Sequence, residues 1–302
     1  MNIRDLQYLV ALADYRHFGK AADSCFVSQP ALSMQIKKLE KHLGIQLLER
    51  TNKSVMLTPT GAILAERARL ILNQVNELRE IAKSAKDPFS GELTIGIIPT
   101  LAPYLLPHII PKLSAAFPKL EIYLIEEQTA FLIEKLKQGK LDTAILALPI
   151  SESVFTISPL FEEEFMLALA PTHALAKRKT IKQSDLQNTN LVLLEEGHCL
   201  REQALAICHM VNAQENKNFR ATSLETLRHM IAAGVGSTLI PLLACQPDDG
   251  ICYVPFSKPK PFRTIGMLWR TASTKVIVLN DIATHVRKIM AKYSELKIIQ
   301  KA

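Results

Sequence analysis

The run AADSCFVSQPALSMQIKKLEKHLGI, residues 21–45, decides how the first part of the chain folds. Ser28 is placed to cap a helix, and Pro30 suits a first turn, where backbone N–H groups have no partner anyway. Gly44 is a natural stop. Between them Leu32, Ile36, Leu39 and Leu43 step by four, three and four, which predicts a helix to Leu43 with one buried face. Gln29, Ser33 and Lys37 fall on the opposite face, four apart, with Lys38 and Lys41 beside them. Gln29 and Ser33 carry short-range donors and acceptors suited to base edges, whereas lysines suit phosphates.

Upstream, the spacing of Leu6, Leu9, Val10 and Ala13 predicts a helix over 3–14, and Lys20–Cys25 a second, short one. Two short helices followed by one with a polar, basic outer face form a helix-turn-helix pattern. Downstream, residues 46–57 alternate around Asn52-Lys53, a small β wing with Arg50 and Lys53 at its tip, both suited to phosphates. The competing reading is a solvated basic helix on an ordinary bundle. Charge alone favours it, because residues 1–58 hold eight Lys or Arg against five Asp or Glu.

Thr58-Pro59-Thr60-Gly61 opens a long helix to about Lys86. Leu64, Ala68, Ile71, Val75, Leu78 and Ala82 step alternately by four and three, a coiled-coil seam that asks for a partner helix and so predicts a dimer. A dimer of helix-turn-helix units reads two half-sites of double-stranded DNA. Asp87-Pro88-Phe89-Ser90-Gly91 ends the helix and marks a boundary.

From Glu92 strands alternate with helices. Strands are expected at 93–98, 120–125 and 141–147, with helices at 103–116 and 130–138 between them, a βαβαβ order that implies a parallel sheet. A second set holds strands at 165–170, 191–194, 219–222 and 237–240, with a helix at 224–233. A late strand over 263–269 and a closing helix over 275–294 follow. The fold class is therefore α/β behind an all-α winged helix-turn-helix. The expected domains are 1–58 for DNA binding, 59–87 for linking and dimerisation, and 91–302 for regulation. The last comprises two Rossmann-like subdomains, I from 91–162 plus 268–302 and II from 163–267.

Ligands bind beyond the carboxyl ends of parallel strands. Thr100, Thr129, Arg270 and the Gly197-His198-Cys199 segment each follow a strand and are candidates to converge on a cleft between subdomains. The plainer alternatives are helix caps for the threonines and a surface ion pair for Arg270. Gly234-Val235-Gly236 is only a helix-to-strand turn, and Glu162-Glu163-Glu164 fits a solvated loop better than an acid/base pair. No phosphate-binding loop, metal-ligand spacing or nucleophile elbow occurs, so no cofactor, metal or enzyme is expected.

Cys199 stands where the helix CLREQALAICH begins, and unpaired N–H groups at a helix start stabilise a thiolate, the form that reacts with oxidants. Cys208 lies nine residues on. On one helix their Cα atoms are about 13 Å apart at 1.5 Å rise per residue, whereas a disulfide tolerates no more than about 7 Å. Joining them demands that the helix unwind. The alternative is a half-buried and a core cysteine with no redox role.

The 302 residues are 48% hydrophobic and 22% charged, with a net charge of +7 that permits an acidic partner such as nucleic acid. Five cysteines, an odd number at irregular spacing, argue against a secreted disulfide framework and fit a reducing cytoplasm. Met1-Asn2-Ile3-Arg4-Asp5 lacks the layout of a signal peptide, and no apolar run reaches a membrane span of about 18 residues. A soluble, cytoplasmic protein is expected.

AADSCFVSQPALSMQIKKLEKHLGIQLLERTNKSVMLTPTG, residues 21–61, resembles the DNA-binding signature of the LysR-type transcriptional regulators. IGIIPTLAPYLLPHIIPKL, EEGHCLREQALAIC and FRATSLETLRHMIAAGVGSTLIP resemble the hydrogen-peroxide-sensing members of that family. The resemblance covers essentially the whole chain. It implies a cytoplasmic tetramer, a dimer of dimers, that activates antioxidant genes, works with RNA polymerase and is reset by a thiol reductant. It implies Cys199 as the peroxidatic and Cys208 as the resolving cysteine. Thr100, Thr129, His198 and Arg270 match positions that help hold and polarise peroxide, and Gln29, Pro30, Ser33 and Arg50 match DNA-contacting positions. Asn218 departs from relatives that carry histidine there. No role is assigned to Cys25, Cys245 or Cys252. Two rival readings are a LysR-type regulator that answers a small molecule in the cleft and a stand-alone thiol peroxidase. The peroxidase reading leaves the first ninety residues without a job.

Overall fold

The computed structural model describes residues 1–50, 55–84, 87–187, 189–211 and 214–300, with the backbone alone at 50, 55, 77, 79–84, 208, 209, 211, 214 and 216–218. It divides into two compact units, Met1–Lys86 and Asp87–Ala302.

The first unit runs α1 (Ile3–Tyr15), α2 (Phe18–Ser24), α3 (Gln29–Leu43), the wing strands β1 (Leu48–Arg50) and β2 (Val55–Leu57), and α4 (Pro59–Ser84). Local chemistry sets these limits. Asn2 and Asp5 form a capping box on α1, Ser28 Oγ accepts the Ala31 N–H at the start of α3, and Gly44 closes α3 in the left-handed region. Leu9, Leu12, Leu32, Ile36, Leu39 and Leu47 make the core. The Glu40 carboxylate accepts the Leu47 and Leu48 N–H groups at 2.9 and 3.3 Å, fastening the wing to α3. Gly61 is forced by close approach, because a Cβ there would lie 2.1 Å from the Leu47 carbonyl oxygen.

The expected single seam along α4 divides. Leu64 and Ala68, with Ala65 and Leu72, pack onto the core that includes α1, and Arg69 grips Asp14 through two bonds of 2.8 and 3.2 Å. Helix α1 is a partner within the same unit and takes that stripe. Ile63, Leu70, Ile71 and Leu78 remain exposed, and the side chain of Ala82 lies outside the described part.

The second unit runs β3 (Gly91–Ile97), α5 (Ala102–Ala116), β4 (Leu120–Glu126), α6 (Thr129–Lys137), β5 (Thr143–Leu148), β6 (Phe155–Leu169), β7 (Asn190–Leu194), α7 (Cys199–Val211), β8 (Gln214–Ala221), α8 (Leu224–Ala232), β9 (Ser237–Pro241), β10 (Cys252–Pro255), β11 (Phe262–Arg270), α9 (Val276–Met290) and β12 (Lys297–Ile298). Its strands form one mixed sheet in the order β4-β3-β5-β11-β6-β9-β7-β8, with β10 and β12 also on β6. Two apolar cores lie along it. One gathers β3, β5, β11, α5, α6 and α9; the other gathers β7, β9, α7 and α8.

Two expectations are overturned here. Glu162-Glu163-Glu164 is no loop but the middle of β6, a strand of fifteen residues that passes from one core to the other. The side chains alternate, as strand geometry requires. Glu162 and Glu164 face outward to Lys297 and Lys260, while Glu163 is fully buried against Arg263. Three acids in a row hide a strand because their alternation depends on cations distant in sequence. The second is the grouping of Arg270 with residues that follow parallel strands: the late strand, β11, runs antiparallel to both β5 and β6.

Candidate functional site

Strand direction builds the site. β3, β4 and β5 are parallel, and the carboxyl end of β5, Leu148, lies opposite Thr264 of β11. There β6 leaves the first core, with Glu162 opposite Thr264, and enters the second, with Phe165 opposite Pro241. Pro241 is the carboxyl end of β9, which runs antiparallel to β6 and parallel to β7. The carboxyl ends of β3 and β5 from one side, and of β7 and β9 from the other, therefore all point at the crossover of β6 and β11. Loops following these strands face one another across it.

Thr100 follows β3 and is buried, 1% exposed. Its hydroxyl accepts from Arg263 Nη1 at 3.2 Å, and its carbonyl from Nη2 at 3.3 Å. Arg263 Nε donates to Glu163 Oε2 at 2.7 Å; both side chains of this pair are 0% exposed. The other Glu163 oxygen accepts the Leu243 N–H at 2.7 Å, just past β9. Thr129 opens α6 after β4, and its hydroxyl is buried without a hydrogen-bond partner. Gln128, the residue before it, lies against Gly197, where a Cβ would come within 2.4 Å of Gln128 Oε1 and the backbone has φ +93°. This contact joins the start of α6 to the loop carrying His198, which is buried at 5% exposure, and Cys199. Cys199 is a free, half-buried thiol at the first position of α7, and it packs against the first core although its own helix belongs to the second.

Thr100 after β3, Thr129 after β4, and His198 and Cys199 after β7 thus follow strands whose carboxyl ends are directed toward the crossover. Arg270 does not. Because β11 is antiparallel, its carboxyl end lies at the amino end of β5 and opposite Phe155, the first residue of β6. Arg270 lies seven residue steps along the strand from Arg263, about 23 Å at 3.3 Å per residue. The Arg270 guanidinium instead donates to the Leu136 and Leu141 carbonyls at 2.7 and 2.8 Å, at the far end of α6. Grouping Arg270 with residues that follow parallel strands does not match the direction of its strand, and the arginine at the crossover is Arg263. Arg263 is the missed residue, together with Glu163 and Gln128, and no local sequence signal distinguishes it.

Helix α7 is continuous from Cys199 to Val211, so both cysteine backbones lie on one helix; the Cys208 side chain, like that of Asn218, lies outside the described part. Arg201 holds the helix down. Its guanidinium is two-pronged on Glu215 of β8, at 2.8 and 3.0 Å, and also donates to the Leu194 carbonyl at 3.0 Å. The hydrogen bonds from Arg201, with its charge beside them, pull the Glu215 carboxyl below its usual range. The three remaining cysteines are half-buried; burial pushes the Cys245 thiol up to about 12.

In the first unit, Gln29, Pro30 and Lys37 are exposed on α3 and Ser33 is half-buried beside them. The Arg50 side chain and Lys53 lie outside the described part. Among the described residues no helix is long and apolar enough to cross a membrane, and no cluster of three His, Cys, Asp or Glu is placed to hold a metal.

A helix-turn-helix unit with a wing and an α/β unit whose strand ends meet at one crossover define the architecture of a DNA-binding regulator with a separate regulatory domain. A family model described as the bacterial regulatory helix-turn-helix protein, lysR family, matches residues 3–62, and one described as the LysR substrate binding domain matches residues 86–289. The chain belongs to the LysR family. It is 50% identical, over 305 aligned positions and all of both chains, to the DNA-binding transcriptional dual regulator OxyR of Escherichia coli strain K12. Full-length OxyR C199D from Pseudomonas aeruginosa is similar at 35% identity and a TM-score of 0.81, covering 100% of this chain and 99% of that one. A structure of the oxidized form of OxyR is similar at 48% identity and a TM-score of 0.63, covering 68% of this chain and 98% of that one.

Proposed function

We propose that this chain is a DNA-binding transcription regulator that senses hydrogen peroxide through Cys199 and activates antioxidant genes. The observation that carries the reading is the position of Cys199, the first residue of a helix that also holds Cys208, with its side chain against the first core while that helix belongs to the second. Unpaired N–H groups of the first turn of α7 favour negative charge at the sulfur. The Cys199 thiolate attacks one peroxide oxygen and the O–O bond breaks. The departing hydroxide takes a proton and leaves as water, and the sulfur is left as a sulfenic acid. Donors aimed at the departing oxygen lower that barrier. Thr100, Thr129, His198 and, in place of Arg270, Arg263 fill this part.

The Cys208 thiol then attacks the sulfenic sulfur, releases a second water and closes the disulfide. At about 13 Å separation along a helix rising 1.5 Å per residue, closure requires α7 to unwind. Unwinding changes the packing between the halves that α7 and Cys199 join, and this is the signal to the DNA-binding unit. The reading divides the chain at 1–58, 59–87 and 91–302, with subdomain I at 91–162 plus 268–302 and subdomain II at 163–267. The working form is a cytoplasmic dimer of dimers on double-stranded DNA, held by the exposed stripe of α4. Gln29, Pro30, Ser33, Lys37, Arg50 and Lys53 contact the operator, RNA polymerase is the downstream partner, and a thiol reductant returns both cysteines to thiols.

A non-reducing peptide map after brief peroxide treatment tests this. The Cys199–Cys208 linkage is the expected product, and its absence defeats the reading. One observation favours a small-molecule regulator as the second reading: a cavity of about 440 Å3 lies between α7, at Gln203, Ala206 and Ile207, and the crossover, at Phe165 and Arg263. A Cys199→Ser variant that still switches its promoter with peroxide favours that reading.

A further inference from the structure

Arg263 has five N–H donors in a fixed fork. Three are spent: Nε on Glu163, one hydrogen of Nη1 on the Thr100 hydroxyl, and one of Nη2 on the Thr100 carbonyl. One hydrogen on each terminal nitrogen is left over. The Thr100 hydroxyl, having accepted from Arg263, keeps its own hydrogen to donate. Three donors are therefore oriented by one buried guanidinium, whose rotation is set by its Nε bond. Glu163 makes that bond and, through its second oxygen, takes the Leu243 N–H from the far side of the crossover.

We propose that Glu163 is a positioning residue for the peroxide reaction: by fixing Arg263 from the crossover of β6 and β11, it aims the Arg263 and Thr100 donors at the departing oxygen. This inference rests on the sensing reading above. A carboxylate is required for a physical reason. A buried guanidinium needs an opposite charge to remain in place, and a two-oxygen acceptor lets one side chain hold both the arginine and the second core. With a neutral amide the guanidinium is held less tightly, and its donors no longer converge.

The test uses the reduced full-length protein and compares two reactions of the Cys199 thiol. Oxidation by hydrogen peroxide needs donors on the departing oxygen. Alkylation by iodoacetamide reports thiolate availability without that need. In Glu163→Gln the ratio of the peroxide rate to the alkylation rate is expected to fall at least tenfold. Glu163→Asp, which keeps the charge on a stem one methylene shorter, is expected to fold and to give an intermediate ratio. Should Glu163→Gln not fold, the aspartate variant decides alone. Wild-type ratios in the variants, with only a lowered Tm, mark Glu163 as structural and overturn the inference. A wild-type peroxide rate no faster than that of free cysteine overturns the sensing reading, and this inference with it. Fast wild-type oxidation with an unchanged variant ratio overturns this inference alone.

Discussion

At the scale of single residues, two glycines carry constraints that no side chain meets. Gly197 combines φ +93° with the Gln128 side chain where its Cβ would be, so Gly197→Ala has to strain the backbone and push Gln128 aside. A loss of about 1–3 kcal/mol is expected, read as a Tm several degrees lower, together with slower oxidation of Cys199 because the loop bearing it shifts. Gly61 faces a backbone oxygen rather than a movable side chain. Gly61→Ala is expected to weaken operator binding by displacing the wing, measured by titration of reduced protein against operator DNA at fixed salt, while peroxide oxidation of Cys199 stays at the wild-type rate. Arg263 gives the opposite lesson. Its chemistry is plain in the sequence, but its role was not, because an arginine is defined by what surrounds it.

At the scale of elements, α7 is the part that opens in the proposed mechanism, and Arg201–Glu215 is the clasp that ties it to β8. Arg201→Ala removes the clasp at an expected cost of about 1.5–3 kcal/mol. Cys199–Cys208 disulfide closure, followed by acid-quenched thiol trapping, is then expected to speed up, with reporter expression raised in the absence of peroxide. The clasp also fixes a pH dependence. Hydrogen bonds from Arg201 lower the Glu215 pKa in the fold. Its contribution is therefore complete above the unfolded carboxyl value of about 4.3, and is lost as pH falls through the lower folded value. Hydrogen exchange of residues 199–211 is expected to rise in that acid window in the wild type and to show no such step in Arg201→Ala. The start of α7 was legible beforehand, since helix propensity is a local property. The clasp was not, because Glu215 lies on a strand that appeared in the sequence only from Phe219.

At the scale of the whole molecule, the proposed assembly rests on what α4 leaves uncovered. Ile63, Leu70, Ile71 and Leu78 are exposed on α4, whereas Leu64 and Ala68 are already used within the unit. A charge on the open stripe, Leu78→Asp, is expected to lower the oligomer in sedimentation without lowering the rate at which Cys199 is oxidised, since that site lies in the other unit. The same substitution at Leu64 is expected to unfold the DNA-binding unit instead.

The sequence by itself determined where most helices and the parallel strands lie, the caps and apolar faces of the first helices, and that Cys199 stands at the start of a helix that also holds Cys208. Interactions within four residues control all of these, and they hold before any fold exists. Only the tertiary structure decided the direction of β11, the burial of Glu163, the division of the α4 stripe and the placement of Arg263, rather than Arg270, at the crossover. Those depend on pairings such as Arg263 with Glu163, a hundred residues apart, or Arg69 with Asp14. Which strand lies beside which, and pointing which way, is settled by the free energy of the whole sheet and core rather than by any one segment.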